Sequence, residues 1–99
     1  MRKKLAKRCI EITRKLHSIG IEHGDLYPSN FMLSDHQVYV IDFGGASFFD
    51  PITESANFDL GPLGVTLTCL YYNISDWDSN IFKESDTLKD MDTQVDRWK

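Results

Sequence analysis

The 99-residue sequence has no apolar run long enough to span a bilayer, which excludes a membrane-crossing helix. Its basic start is not followed by the apolar core of a signal peptide either, because charge recurs at Glu11, Arg14 and Lys15. The expectation is a soluble chain, cytoplasmic or otherwise intracellular, in which the sequon Asn73-Ile74-Ser75 is accidental. Cysteine is scarce. Cys9 and Cys69 sit among apolar residues without metal-ligand spacing, so they read as buried thiols rather than a disulfide or a zinc site. Internal repeats and low-complexity tracts are also absent. A chain this short supports one small domain and buries only roughly 60 to 65% of its extended surface, so its stability margin is narrow.

Acidic residues outnumber basic ones overall, with a formal net charge of -4, but the imbalance is uneven. Residues 1–20 carry seven Lys/Arg against one Glu, and the remainder carries four against fourteen Asp/Glu. No stacking aromatics or second basic patch accompany the basic start, so it reads as a solvated helix face that attracts the acidic remainder, with no nucleic-acid partner. Arg2 to His17 has the pattern of an amphipathic helix. Leu5, Cys9, Ile12 and Leu16 recur at intervals of three and four with Ile10 nearby, and Gly20 ends the segment.

Ile21 to Ala46 holds the densest polar chemistry. Phe31-Met32-Leu33 and Val38-Tyr39-Val40-Ile41 read as two short strands joined by a tight turn at Ser34-Asp35-His36-Gln37. His23-Gly24-Asp25 precedes the first strand, Asn30 follows five residues after Asp25, and Asp42-Phe43-Gly44 follows the second strand. Antiparallel pairing brings the outer ends of such strands together, so Asp25, Asn30 and Asp42 are expected to converge. Two carboxylates and an amide oxygen suit a hard cation such as Mg2+, with one carboxylate left to accept a proton from an attacking hydroxyl.

His23-Gly24-Asp25-Leu26-Tyr27-Pro28-Ser29-Asn30 and the later Asp42-Phe43-Gly44 resemble the catalytic loop and magnesium loop of the protein kinase-like phosphotransferases. The resemblance implies that Asp25 orients or deprotonates the acceptor hydroxyl and that Asn30 and Asp42 hold Mg2+. It places Gly44 at the nucleotide and His23 in a structural position behind the loop. Leu16 to Ile21 is similar to the end of the long helix leading into that loop, and Asp59 to Leu70 is similar to the buried central helix of the C-terminal lobe. In that helix the family role of Asp59 is to brace the catalytic loop. Gly24 stands where many protein kinases have an Arg that binds an activation-loop phosphate, and Tyr27 stands where a Lys is usual. The Gly24 form is similar to aminoglycoside and choline phosphotransferases, whereas Pro28-Ser29-Asn30 is closer to protein kinases, so the acceptor class stays open.

The fold class this implies is α+β: residues 1–99 as an incomplete kinase-like C-lobe, with an N-terminal helix, the site hairpin and two or more helices. The resemblance covers residues 5–70, and 71–99 form a divergent helical tail. No glycine-rich phosphate loop precedes the hairpin, and no strand-Lys and helix-Glu pair is present. The implied activity is ATP- and Mg2+-dependent phosphoryl transfer to a hydroxyl of a protein or small molecule. The alternatives are an inactive fragment that binds a protein partner or a complementing lobe, and an unstable truncated product.

Ser47 to Phe58 reads as a connecting segment, with Ile52-Thr53-Glu54 only a poor relic of the family's Ala-Pro-Glu. Leu63, Leu67 and Leu70 form the expected apolar face of the next helix, and Pro62 fits its first turn. Ile74, Trp77 and Ile81, then Leu88, Met91, Val95 and Trp98, continue a three-to-four spacing. Ser85 or Asp86 is the expected cap of a last helix, which would fold onto Asp59 to Leu70 or present a partner-binding stripe.

Overall fold

The N-terminal basic segment forms its helix over Arg2–Ser18 (α1), one residue beyond the expected end. Gly20 follows with φ of +80°. A Cβ there would lie 2.5 Å from the Phe49 carbonyl oxygen, so only glycine lets the chain turn so close to that backbone. The computed structural model describes residues 1–75 and 78–99. Trp77, counted in the apolar spacing of the tail, lies outside the described residues.

The buried stripe of α1 is Ala6, Cys9, Ile10 and Thr13, which keeps the expected Cys9 and its neighbour Ile10 but leaves Leu5, Ile12 and Leu16 at its edge. Leu5, Ile12 and Leu16 are only half-buried, because the core side of α1 is the one that meets both later helices. Small Ala6 lets them approach closely, and the Thr13 hydroxyl is satisfied by donating to the Cys9 carbonyl at 2.9 Å.

Two antiparallel ribbons follow. The short strand Ile21–Glu22 (β1) pairs with Ser47–Phe48 (β4), and Phe31–Ser34 (β2) pairs with Gln37–Val40 (β3). The β2–β3 hairpin is the expected one, and positive φ at Asp35 and His36 makes the compact turn. The β1–β4 ribbon corrects the reading of Ser47 onward as a plain connection. Two-residue strands carry no periodic signal, and their pairing is set by Gly20, whose carbonyl accepts from the Phe49 N–H at 2.9 Å.

A short 3-10 turn over Asn57–Asp59 leads into Leu60–Tyr72 (α2). Pro62 falls in the first turn, where its missing N–H costs no helical bond. Burial surrounds this helix: Leu63 through Cys69 are all buried, so the three-leucine face understated it. The buried hydroxyls are paired. Thr66 donates to the Leu26 carbonyl at 2.8 Å; Thr68 donates to the Gly64 carbonyl at 2.7 Å and accepts from Ile81 N–H at 2.9 Å. Left unpaired, each would cost about 1–3 kcal/mol.

The last helix spans Leu88–Asp96 (α3). Its cap is Thr87, not Ser85 or Asp86: the Thr87 side chain accepts from the Asp90 N–H at 3.1 Å. Ser85 instead accepts from the Gln94 amide at 2.6 Å, which ties the preceding loop to the helix. Met91 and Val95 are buried, with Leu88 and Trp98 packed beside them, so the apolar stripe is core rather than a free surface. It rests chiefly on α1, not on α2 as expected. Lys7 explains part of that choice, because it pairs with Asp92 at 2.8 Å and also with Asp96. Hydrogen bonds donated by Lys7 to those two carboxylates raise the Lys7 pKa, and Lys7 lowers that of Asp96. The basic start and acidic tail do attract each other.

The resulting protein is a mixed α+β domain whose core joins Ala6 and Ile10 to Leu26, Leu63, Leu67 and Phe82. Cys9 and Cys69 are buried thiols not joined in a disulfide, and burial pushes the Cys9 thiol up to about 12. Among the described residues, no helix is long and apolar enough to cross a membrane.

Candidate phosphotransfer loop

Asp59 occupies a fully buried position at the start of α2. Its Oδ2 accepts from His17 Nε2 at 2.7 Å and from the His23 N–H at 2.9 Å, while Oδ1 accepts from the Gly24 N–H at 2.8 Å. Burial alone would raise its pKa, but the hydrogen bonds from His17, Gly24 and His23 outweigh it and hold the carboxyl below its ordinary value. An ionised carboxylate thus fixes two successive backbone amides at the beginning of the loop.

His23 carries the constraint onward. Its ring is fully buried; Nδ1 lies 3.1 Å from the Asp25 N–H, and Nε2 lies 2.9 Å from the Ile41 carbonyl. A backbone N–H only donates and a carbonyl only accepts, so the ring proton belongs on Nε2. One imidazole therefore holds Asp25 and the residue just before Asp42. The Phe43 ring packs edge-on against it, with centroids 4.8 Å apart.

Asn30 is buried, and its amide nitrogen donates to the Asp25 carbonyl at 2.7 Å and to Asp25 Oδ2 at 2.9 Å. Both N–H groups are spent on Asp25. The orientation leaves the amide oxygen as the group available to a cation. Hairpin pairing extends one step past β2 and β3, since the Ile41 N–H donates to the Asn30 carbonyl at 2.9 Å. Asp42 comes next in the chain. It is exposed and has φ of +59°, a left-handed conformation costly for a residue other than glycine. Asp42 Oδ1 accepts from the Gly44 N–H at 3.2 Å, and Oδ2 is left over.

The expected site residues therefore occupy one neighbourhood, with Asp25 bonded directly to Asn30 and Asp42 joined to them through Ile41. Gly44 lies in the turn beyond, where Ala46 N–H donates to the Phe43 carbonyl at 3.0 Å. Among the described residues, no group of three or more His, Cys, Asp or Glu side chains gathers as a metal cage. The free oxygens of Asn30 and Asp42 nevertheless fit a hard cation completed by water or phosphate oxygens.

Sequence reasoning missed His17 and Thr66. His17 reaches Asp59 across 42 residues, and Thr66 secures the Leu26 carbonyl across 40 residues. Neither separation leaves a local motif, so neither had a signal to find.

A helix entering a braced loop, a hairpin with Asp25 and Asn30 before it and Asp42 after it, and a buried helix behind them fit the kinase or phosphotransferase ancestry that the relatives show. The lipopolysaccharide kinase (Kdo/WaaP) family model matches residues 1–91, and the chain belongs to that family. It is 42% identical over 81 residues to the KEOPS complex subunit Bud32 of Pyrococcus abyssi, covering 79% of this chain and 35% of the relative. It is 41% identical over 69 residues to a probable bifunctional tRNA threonylcarbamoyladenosine biosynthesis protein of Methanosarcina mazei, covering 70% of this chain and 12% of the relative. Similarity extends to the mouse dual specificity protein kinase TTK, 41% identical over 54 residues, which is 54% of this chain and 6% of the kinase. The chain thus spans only a minor part of these relatives. No solved structure matches it.

Proposed function

We propose that this chain is the catalytic-loop half of an ATP- and Mg2+-dependent phosphotransferase, a C-lobe-type domain over residues 1–99. Asp25 orients the acceptor hydroxyl and takes its proton, while Asn30 and Asp42 hold Mg2+. Gly44 gives the nucleotide phosphates close access to backbone, and His23 and Asp59 hold the loop in shape. The observation carrying this reading is the double hydrogen bond from the Asn30 amide to Asp25, which fixes the proposed proton acceptor and leaves the amide oxygen available to a cation. Mg2+ would supply charge neutralisation at the transferring phosphate.

These residues hold no glycine-rich phosphate loop. Electrostatic clamping of phosphate is normally a large share of catalysis, so the chain alone is a poor catalyst. Likeness to a relative named as a complex subunit supports a protein partner. A second reading, a catalytically silent binding module, is favoured by the outer face of the hairpin, where the cross-strand pair Met32 and Tyr39 is exposed. The acceptor is a hydroxyl of a protein or a small molecule.

Calorimetric titration of Mg-ATP into the chain alone tests the half-site reading. The expected result is binding weaker than about 100 μM. Micromolar binding that Asp42→Ala abolishes would show a self-sufficient nucleotide site and overturn it.

A further inference from the structure

A hydroxyl inside a packed helix needs a reason, because valine has the same shape and no polar group to desolvate. Among the described residues, three buried threonines lie in helices: Thr13 in α1, and Thr66 and Thr68 in α2. Thr13 and Thr68 donate within their own helix, to the carbonyls of Cys9 and Gly64 four residues earlier. Thr66 reaches outward instead. Its Oγ1 donates at 2.8 Å to the carbonyl of Leu26, 40 residues away in sequence and the next residue after Asp25. A hydroxyl has one proton to give, so Thr66 spends it on the loop.

That bond closes a bracket around Asp25. Before it, the Gly24 N–H donates to Asp59 at 2.8 Å; after it, the Leu26 carbonyl accepts from Thr66. Asp59 is the residue just ahead of α2 and Thr66 lies two turns along, roughly 10 Å of helix rise, so one helix holds both sides. Because peptide units are planar, fixing the Gly24 N–H and the Leu26 carbonyl restricts the Asp25 backbone and the direction in which its side chain leaves it. The Leu26 side chain is fully buried in the same core cluster as Leu63 and Leu67, so the residue after Asp25 is packed as well as bonded. Held in that pose, Asp25 meets the Asn30 amide through both its carbonyl, at 2.7 Å, and its Oδ2, at 2.9 Å.

We infer that Thr66 is a positioning residue for the Asp25 carboxylate, acting through the Leu26 carbonyl. Its consequence for phosphoryl transfer rests on the reading of Asp25 as proton acceptor, while the positioning itself is measurable without turnover. Misplacing a reacting group by about 1 Å costs roughly 100-fold in rate, so one buried hydroxyl behind the loop carries weight.

NMR of the isotope-labelled chain tests this with Thr66→Val, Thr66→Ser and Thr68→Val. Thr66→Val should move the two Asn30 side-chain amide proton signals and speed exchange of the Asp25 N–H at least about 10-fold beyond any change at the core amides of Ile10 and Val95. Thr66→Ser keeps a hydroxyl and should return both readouts toward the parent. Thr68→Val removes a buried hydroxyl from the same helix, one that also accepts from the Ile81 N–H, and should lower the melting temperature with the Asn30 signals in place. Position is thereby separated from stability. If Thr66→Val does not fold, the parent chain decides, because the Thr66 hydroxyl proton should persist as a slowly exchanging signal. Asn30 signals unmoved in Thr66→Val, equal movement in Thr68→Val, or a Thr66 hydroxyl exchanging too fast to detect would overturn the inference. Loosening of Asp25 by Thr66→Val in a chain that gathers no Mn2+ and ATP near Asn30 and Asp42 would support the Thr66 link and contradict the phosphotransfer reading alone.

Discussion

Asp59→Asn is expected to lower the unfolding free energy by about 3 kcal/mol, or roughly 15 °C in melting temperature. The carboxylate receives three hydrogen bonds in a fully buried site, and an amide offers one acceptor oxygen and a nitrogen that meets donors. At least one buried N–H group loses its partner, and the ionic character of the other bonds is lost as well. That loss is a large share of the margin for a domain of this size, about 5–15 kcal/mol.

The variant also has a pH signature. The folded Asp59 pKa lies below its unfolded value, so its contribution is fully present above about pH 4 and disappears as pH falls through the folded pKa. Urea titrations down the acid range should show that loss in the parent chain and not in Asp59→Asn. Equal acid slopes in the two proteins, or a destabilisation under about 1 kcal/mol, would remove the brace from the account.

Gly24 produces the second large effect. Its φ is +88°, and a Cβ would sit 2.4 Å from the Gly45 carbonyl oxygen, which is backbone and cannot swing aside. Restoring the arginine common at this place in protein kinases should therefore fail for a steric reason before charge matters. We expect Gly24→Arg and Gly24→Ala each to cost about 3 kcal/mol or more, combining the left-handed penalty with a forced shift of the Phe43–Ala46 turn. Gly45→Ala is the control, since its Cβ would meet the His23 carbonyl at an ordinary 3.9 Å and should cost under about 1 kcal/mol. Chemical denaturation measures all three. A tolerated Gly24→Ala beside a damaging Gly24→Arg would show that the side chain, not the backbone approach, decides.

These two residues show where the sequence was informative. Local chemistry carried the hairpin: β-branched and aromatic strands around a polar turn left little choice of partner, and order and spacing linked Asp25, Asn30 and Asp42. The buried thiols and the attraction between basic start and acidic tail were also legible, because each needs only composition. Tertiary choices were not. α1 has large apolar residues at Leu5, Ile12 and Leu16 and smaller ones at Ala6 and Thr13, and close packing chose the side with the small residues. Thr87 won the cap over Ser85 because Ser85 was held by Gln94. The network through His17 depends on a contact 42 residues away. Gly24 could be recognised as a departure, but the nearby Gly45 carbonyl that makes it necessary could not.

We propose that Asn30 and Asp42 form the cation half of a phosphotransfer site held by His23 and Asp59. Amide NMR spectra of the isotope-labelled chain during Mn2+ addition with ATP test it most directly, because paramagnetic broadening reports proximity without requiring turnover. Broadening should centre on Asn30, Asp42, Phe43 and Gly44 and disappear from that region in Asp42→Ala, with the remaining spectrum unchanged. Broadening centred on the acidic face of α3, or an unchanged pattern in Asp42→Ala, would contradict the account.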